Sequence, residues 1–189
     1  MSINCLLCGV GGQGTVLAAR LIALAAMDKG EQVRTAETIG MAQRGGCVVS
    51  HVRTGPVVHS SLIPLGGANL ILAFEPAEAV RCLPYLKQGG AVVVSRKAVK
   101  PVTASLTGSP YDGSEMLAYL EQQVPHLVVV DGDAVCRACG SPKVLNVALL
   151  AAAVKGGFLD LTVEELRQAV ARRVPERFHA LNFRAIDAV

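Results

Sequence analysis

The chain has 189 residues, of which 51% are hydrophobic and 17% charged, with 18 Lys and Arg against 15 Asp and Glu for a formal charge of +3. That length predicts one compact domain over residues 1–189, and the composition excludes disorder, a stapled mini-protein and a multidomain enzyme. The basic residues are scattered and the aromatic residues are three Tyr, four Phe and no Trp, so neither a charged stripe nor a base-stacking platform exists and nucleic acid is excluded as a partner.

The apolar run Ile3–Cys8 reads as a buried strand. It leads through Gly9-Val10-Gly11-Gly12-Gln13-Gly14 into an Ala- and Leu-rich helix over Thr15–Lys29, which stops at Gly30. A short strand, Gln32–Thr35, follows, and then the polar, Gly-rich stretch Glu37–Gly46 reads as a loop. Cys47–Arg53 and Val57–His59 flank Thr54-Gly55-Pro56, which predicts a hairpin and brings antiparallel pairing into the sheet. Leu70–Phe74 and Ala91–Ser95 read as buried strands, and Pro76–Leu86 between them as a helix opened by its proline. Lys97–Gly113 reads as an irregular excursion, Ser114–Gln123 as a helix and Leu127–Val130 as a strand. The last third reads as three helices, Pro142–Lys155, Thr162–Arg173 and Phe178–Val189, with Thr162 and Glu165 forming a capping box. Strands alternating with helices after a Gly-rich first turn predict a three-layer α/β/α, Rossmann-like fold with a mixed, mainly parallel sheet and a helical C-terminal third.

No Lys or Arg precedes Arg20, so the N-terminal stretch lacks the basic region of a secretory signal and a cytoplasmic protein is expected. The uncharged stretch Thr54–Phe74 is long enough to span a bilayer, but three Gly, two Pro, His59 and Asn69 interrupt it, and no membrane partner is expected. Two cysteine pairs have C-x-x-C spacing. Cys5 and Cys8 lie on a strand, where residues three apart point to opposite faces and share a metal poorly. Cys136 and Cys139 lie in what reads as a looser segment before Gly140, open either to a thiol or zinc role or to burial as small hydrophobes. No metal is assigned.

The pattern Gly9-x-Gly11-x-x-Gly14, between strand and helix, matches a phosphate-cradling turn, with Gly12 as a further small residue and Gln13 inside the turn. The competing reading is a turn that merely packs tightly. Glu37 lies where a ribose-binding acid would make this an NAD(P) site, which keeps a stand-alone NAD(P)-binding protein as an alternative. In Gln43-Arg44-Gly45-Gly46, the Arg44 guanidinium sits beside bare backbone and is suited to a carboxylate or phosphate. Ser50 and His51 alternate faces on a strand and form no nucleophile–base pair. His51, Arg44 and Arg53 are also open to a plainer reading as hydrogen-bonded or solvated side chains.

The combination GVGGQG at Gly9–Gly14, ETIGMAQRGGCVVSHVR at Glu37–Arg53 and LILAFEPAEAVR at Leu70–Arg81 closely resembles the gamma-type subunit of 2-oxoacid:ferredoxin oxidoreductases, and within it the small subunit of the indolepyruvate (arylpyruvate) branch. The resemblance implies CoA-dependent oxidative decarboxylation of a 2-oxoacid to acyl-CoA and CO₂ with reduction of ferredoxin, carried out by a complex and not by this chain alone. Thiamine diphosphate and [4Fe–4S] clusters are expected on a larger partner subunit. Gly132-Asp133 is followed by Ala134 and lacks a thiamine diphosphate signature, and no ferredoxin cysteine run is present. The resemblance further implies that Gly9, Gly11, Gly12, Gln13 and Gly14 receive coenzyme A, and that Gln43, Arg44, His51 and Arg53 support the face against the larger subunit.

Overall fold

A computed structural model describes residues 2–37, 45–100 and 111–189. Six strands form one sheet in the order β2-β3-β1-β4-β5-β6: β1 (Ile3–Val10), β2 (Gln32–Glu37), β3 (Cys47–Gly55), β4 (Ala68–Ala73), β5 (Leu86–Ser95) and β6 (His126–Val130). The strands β1, β4, β5 and β6 run parallel, and β3 runs antiparallel to both of its neighbours, β1 and β2. The mixed, mainly parallel sheet expected from the sequence is therefore present, but its antiparallel pairing does not come from the hairpin expected at Thr54-Gly55-Pro56: β3 pairs with β1 and with β2, the strand before it in the chain. Both edges of β3 are already hydrogen-bonded, so Val57–His59 has no edge to pair with and forms no strand.

The helices are α1 (Thr15–Asp28), α2 (Pro76–Cys82), α3 (Ser114–Gln123), α4 (Gly132–Cys139), α5 (Leu145–Lys155), α6 (Val163–Arg173) and α7 (His179–Asp187). Alternation along β1 separates two cores. Cys5 and Leu7 pack with α1, α5, α6 and α7 on one face, while Leu6 and Cys8 pack with α2 and α3 on the other. Cys5 and Cys8 thus face opposite ways. Helix α5 reads LNVALLAAAVK and is buried on nearly every side, as a helix apolar all round must be. Its alanines let it lie close to both the sheet and α1, and each fully buried leucine contributes about 1.5–3 kcal/mol of transfer free energy.

Two helix readings are corrected. The helix from Pro76 ends at Cys82, and Leu83–Tyr85 tightens into a 3₁₀ turn, because Pro84 has no N–H to continue the ladder. The segment holding Cys136 and Cys139 is not loose but is helix α4. Asp131 Oδ1 accepts from Ala134 N at 2.9 Å to start it, and Gly140 at φ +75° closes it. Among the described residues no helix is long and apolar enough to cross a membrane.

Candidate functional site

The glycine run joins the end of β1 to the start of α1. Gly9 has no space for a side chain, since a Cβ would stand 2.7 Å from Gln13 Oε1 and 2.8 Å from Phe74 Cβ. Gln13 staples the turn to two strands: its Oε1 accepts from Val10 N at 2.7 Å and its Nε2 donates to Phe74 O at 3.1 Å. Gly11 exchanges backbone bonds with the chain entering β3, donating to Gly46 O at 2.8 Å and accepting from Gly45 N at 3.3 Å. Gly14 is the residue before α1 and is left-handed at φ +88°, with Asn146 Nδ2 only 2.6 Å from where a Cβ would be. Gly12, at φ +101°, has nothing within 4 Å of that position. The open approach is therefore at Gly12, while Gly9 and Gly14 are required by packing. Among the described residues no acceptor meets the N–H groups of Thr15, Val16 and Leu17, which point from the positive end of α1.

Two clefts flank the turn. One, of about 340 Å³, lies toward β3, between Gly11, Gly12, Thr15, Val48 and Ser50. The other, of about 510 Å³, lies toward α4 and α5, where Gly12, Gln13 and Gly14 face Lys97, Lys143 and Asn146. Lys97 Nζ is held by Asp133 at 2.8 Å, and Lys143 has no ion pair among the described residues. No His, Asp or Glu lines either cleft. Free amides, a helix N-terminus and two ammonium groups around open space are suited to holding an anion.

Residues 4–189 match the family described as pyruvate ferredoxin/flavodoxin oxidoreductase. The chain is 35% identical to indolepyruvate oxidoreductase subunit IorB of Methanothermobacter thermautotrophicus, over 98% of this chain and 94% of that one. Its fold is similar to the gamma subunit of a keto/oxoacid ferredoxin oxidoreductase from Geobacter sulfurreducens, with a TM-score of 0.68 and 24% identity over 98% and 94% of the two chains. The chain belongs to the pyruvate ferredoxin/flavodoxin oxidoreductase family. A third likeness within the fold is to 2-oxoglutarate:ferredoxin oxidoreductase from Magnetococcus marinus, solved with 2-oxoglutarate, coenzyme A and succinyl-CoA. There the TM-score is 0.72 at 18% identity, covering 99% of this chain and 30% of that one.

The structure does not bring Glu37, His51 or Arg53 to the turn of this family member. Glu37 ends β2, opposite Ser50 of β3 and not beside β1, and its carboxylate lies 3.9 Å from Arg20 Nε. A dinucleotide fold places the ribose-binding acid on the strand next to the first, and here β3 occupies that place. His51 and Arg53 face the α2 side and hold the segment at 60–63. Ile63 N donates to His51 Nδ1 at 3.1 Å, and the His51 ring meets Tyr85 edge-on at 5.9 Å. The Arg53 guanidinium donates to Asn4 Oδ1 at 2.9 Å and to the carbonyls of Ser60 and Leu62 at 3.2 and 3.1 Å. Gln43 and Arg44 lie outside the described residues. Cys136 Sγ donates to Pro142 O at 3.8 Å, and Cys139 is buried on the same helix; among the described residues no third ligand completes a metal set with them.

Sequence reasoning missed a second polar centre, at the end of β4. Glu75, 2% exposed, caps α2 by accepting from Glu78 N at 3.1 Å, and its other oxygen accepts from Tyr111 Oη and, at 3.4 Å, from Val99 N. It so ties together both flanks of the excursion after β5. Burial, followed by the Glu75 carboxylate, pushes the Tyr111 phenol up. Glu78 accepts from Cys47 Sγ at 2.6 Å, and burial together with that carboxylate pushes the Cys47 thiol up to about 12. Lys97, Lys143 and Asn146 were also missed. The one available signal was Asn146, the single polar residue of its helix before the terminal Lys155.

Proposed function

We propose that the chain is the small subunit of an indolepyruvate ferredoxin oxidoreductase, a single gamma-like domain over residues 1–189 that is inactive without a larger partner subunit in the cytoplasm. The observation that carries this reading is the character of the cleft at Gly12: it offers amides, Lys97 and Lys143 to an anion, and its lining includes no carboxylate or imidazole. It is a place to bind and orient. The arylpyruvate preference rests on the relatives at 33–35% identity, which are named for indolepyruvate.

In this reading the Gly9–Gly14 turn and the amides of α1 take the pyrophosphate side of coenzyme A. The open space at Gly12 fits such a group, since nothing lies within 4 Å of its Cβ position. The residues of this chain do not fit thiamine diphosphate or an iron–sulfur cluster. Asp133 of the Gly132-Asp133 pair is held by Lys97, and Cys5 and Cys8 face opposite cores. Both groups are assigned to the larger subunit, which passes electrons to ferredoxin. Gln43 and Arg44 are assigned to the face against that subunit. His51 and Arg53 serve the same face by fixing a segment whose Val57, Leu62 and Leu65 side chains are exposed.

The test is anaerobic expression of this chain with and without the large subunit, followed by CoA-dependent reduction of ferredoxin or a viologen with indolepyruvate, phenylpyruvate, pyruvate and 2-oxoglutarate. Activity with the aryl substrates in the co-expressed complex alone is expected. Activity of the large subunit that this chain leaves unchanged would refute the reading.

A further inference from the structure

Three of the six cysteines gather on the α2 face of the sheet around the carboxylate of Glu78. Cys47, exposed at the start of β3, donates from Sγ to Glu78 Oε2 at 2.6 Å. Glu78 is 6% exposed and stands one helical turn before Cys82, so the two side chains share a face of α2. Cys82 is itself buried and is hydrogen-bonded to the Cys8 thiol of β1. The β1–β3 register closes the group from the other side. Cys8 lies opposite Val49 and Val10 opposite Cys47, which makes Cys8 and Cys47 diagonal neighbours on one face. A line of thiols therefore runs from the surface at Cys47 to the core at Cys8. Packing alone explains Cys5, a small apolar side chain in the other core. It does not explain Glu78, since a buried carboxylate is costly unless it is paired, and its partners here are a thiol and, at 3.4 Å, the exposed Arg81 guanidinium. Among the described residues no three of these groups are placed to hold a metal ion, which leaves the chemistry of the thiols themselves.

We propose that Cys47 and Cys82 are a peroxide-responsive pair that closes reversibly to a disulfide, tying the start of β3 to the end of α2. The three thiols divide the work. Cys47 is the one that an oxidant reaches, because Cys8 and Cys82 are buried. Cys8 donates to Cys82 Sγ, and that bond draws the Cys82 thiol below its ordinary value while pushing Cys8 up, so Cys82 is the better nucleophile of the two. In the first step Cys47 Sγ attacks one peroxide oxygen, the O–O bond breaks, and the departing hydroxide takes the thiol proton, leaving a sulfenic acid and water. In the second, Cys82 Sγ attacks Cys47 Sγ, the S–O bond breaks, and hydroxide leaves with the Cys82 proton as a second water. Two thiols lose two electrons in all, and one peroxide is reduced to two waters. A small uncharged oxidant suits the site, since the Glu78 carboxylate repels an anionic disulfide such as oxidised glutathione. Glu78 also guards the pair, because with burial it holds the Cys47 thiol in its neutral form and so slows the first step. No ligand at the glycine turn is involved.

The test exposes the reduced full chain to hydrogen peroxide, alkylates the remaining thiols in denaturant, digests without reductant and reads the peptides by mass spectrometry. A linked Cys47–Cys82 peptide that dithiothreitol separates is expected. Cys82→Ser should leave Cys47 as a sulfenic acid that dimedone labels, and Cys47→Ser should leave Cys8 and Cys82 reduced at the same peroxide dose. Glu78→Gln should speed formation of the link severalfold. Unfolding curves check that the variants fold, and the linked peptide of the unaltered chain needs no variant. Four results would each overturn the assignment: thiols that all stay free, a link from Cys8 to either of the other two, a Cys47 that passes to sulfinic acid without linking, or a Cys82→Ser chain that dimedone labels no more than the unaltered one.

Discussion

Alanine at Gly12 and at Gly14 separates the two demands on the glycine turn. Both residues are left-handed, at φ +101° and +88°, where a side chain costs roughly 1–2 kcal/mol from its own backbone. Only Gly14 is also crowded: a Cβ there stands 2.6 Å from Asn146 Nδ2 and 3.2 Å from Asn146 Cγ, whereas Gly12 meets nothing within 4 Å. Asn146 cannot easily yield, because it is 5% exposed and its Oδ1 accepts from Val147 N at 2.8 Å. Forcing volume into such a site costs about 1–3 kcal/mol more. Gly12→Ala should therefore lose about 1–2 kcal/mol and Gly14→Ala about 2–5 kcal/mol, read from urea unfolding of the full chain at constant m. Adding Asn146→Ala to Gly14→Ala should recover the crowding part, giving a coupling above about 0.5 kcal/mol in a double-mutant cycle. Equal losses at the two glycines, or strict additivity with Asn146→Ala, would refute the reasoning.

Three further outcomes are expected. Burial holds the His51 imidazole below its ordinary value of 6.5, so the unfolded chain protonates first; the His51 contribution is complete above about pH 6.5 and is lost as pH falls from there through the folded value. His51→Gln should flatten that stretch of the stability curve, and an unchanged slope would count against it. Cys47 is exposed, yet its thiol is held as the neutral form up to about 12, so it should alkylate slowly at neutral pH; Glu78→Gln should speed labelling with iodoacetamide, and equal rates would show that the carboxylate has no part in it. Leu149→Ala, at a fully buried position of α5, should cost about 2–5 kcal/mol in the same unfolding assay, and a loss below about 1 kcal/mol would mean that the helix is not packed as described.

What could be read from the sequence depended on how far apart the deciding residues lie. The Gly9–Gly14 turn, Pro76 at the start of α2 and the Thr162–Glu165 capping box are set by neighbours in the chain, and each stands where the pattern put it. Helix α4 was legible by the same logic, from the Asp131 cap and Gly140, but the C-x-x-C spacing drew attention from that signal. The position of β3 had no such signature. Its strand pattern is the same whether it pairs with Val57–His59 or lies between β1 and β2, and only long-range hydrogen bonding decides. Lys97 and Lys143 were equally silent, since they come from the ends of different elements and meet only where β5, α4 and α5 converge.

The placement of β3 also reverses the sense in which the turn can be used. In a dinucleotide fold the adenosine lies on the side of the second strand, where an acid reads the ribose. Here that side is filled by β3, with Val48 and Ser50 walling the smaller cleft and Glu37 one strand further out beside Arg20. The opposite side is open and carries Lys97 and Lys143. The open approach to Gly12 is therefore from the side of α4 and α5 and not from the side of β3.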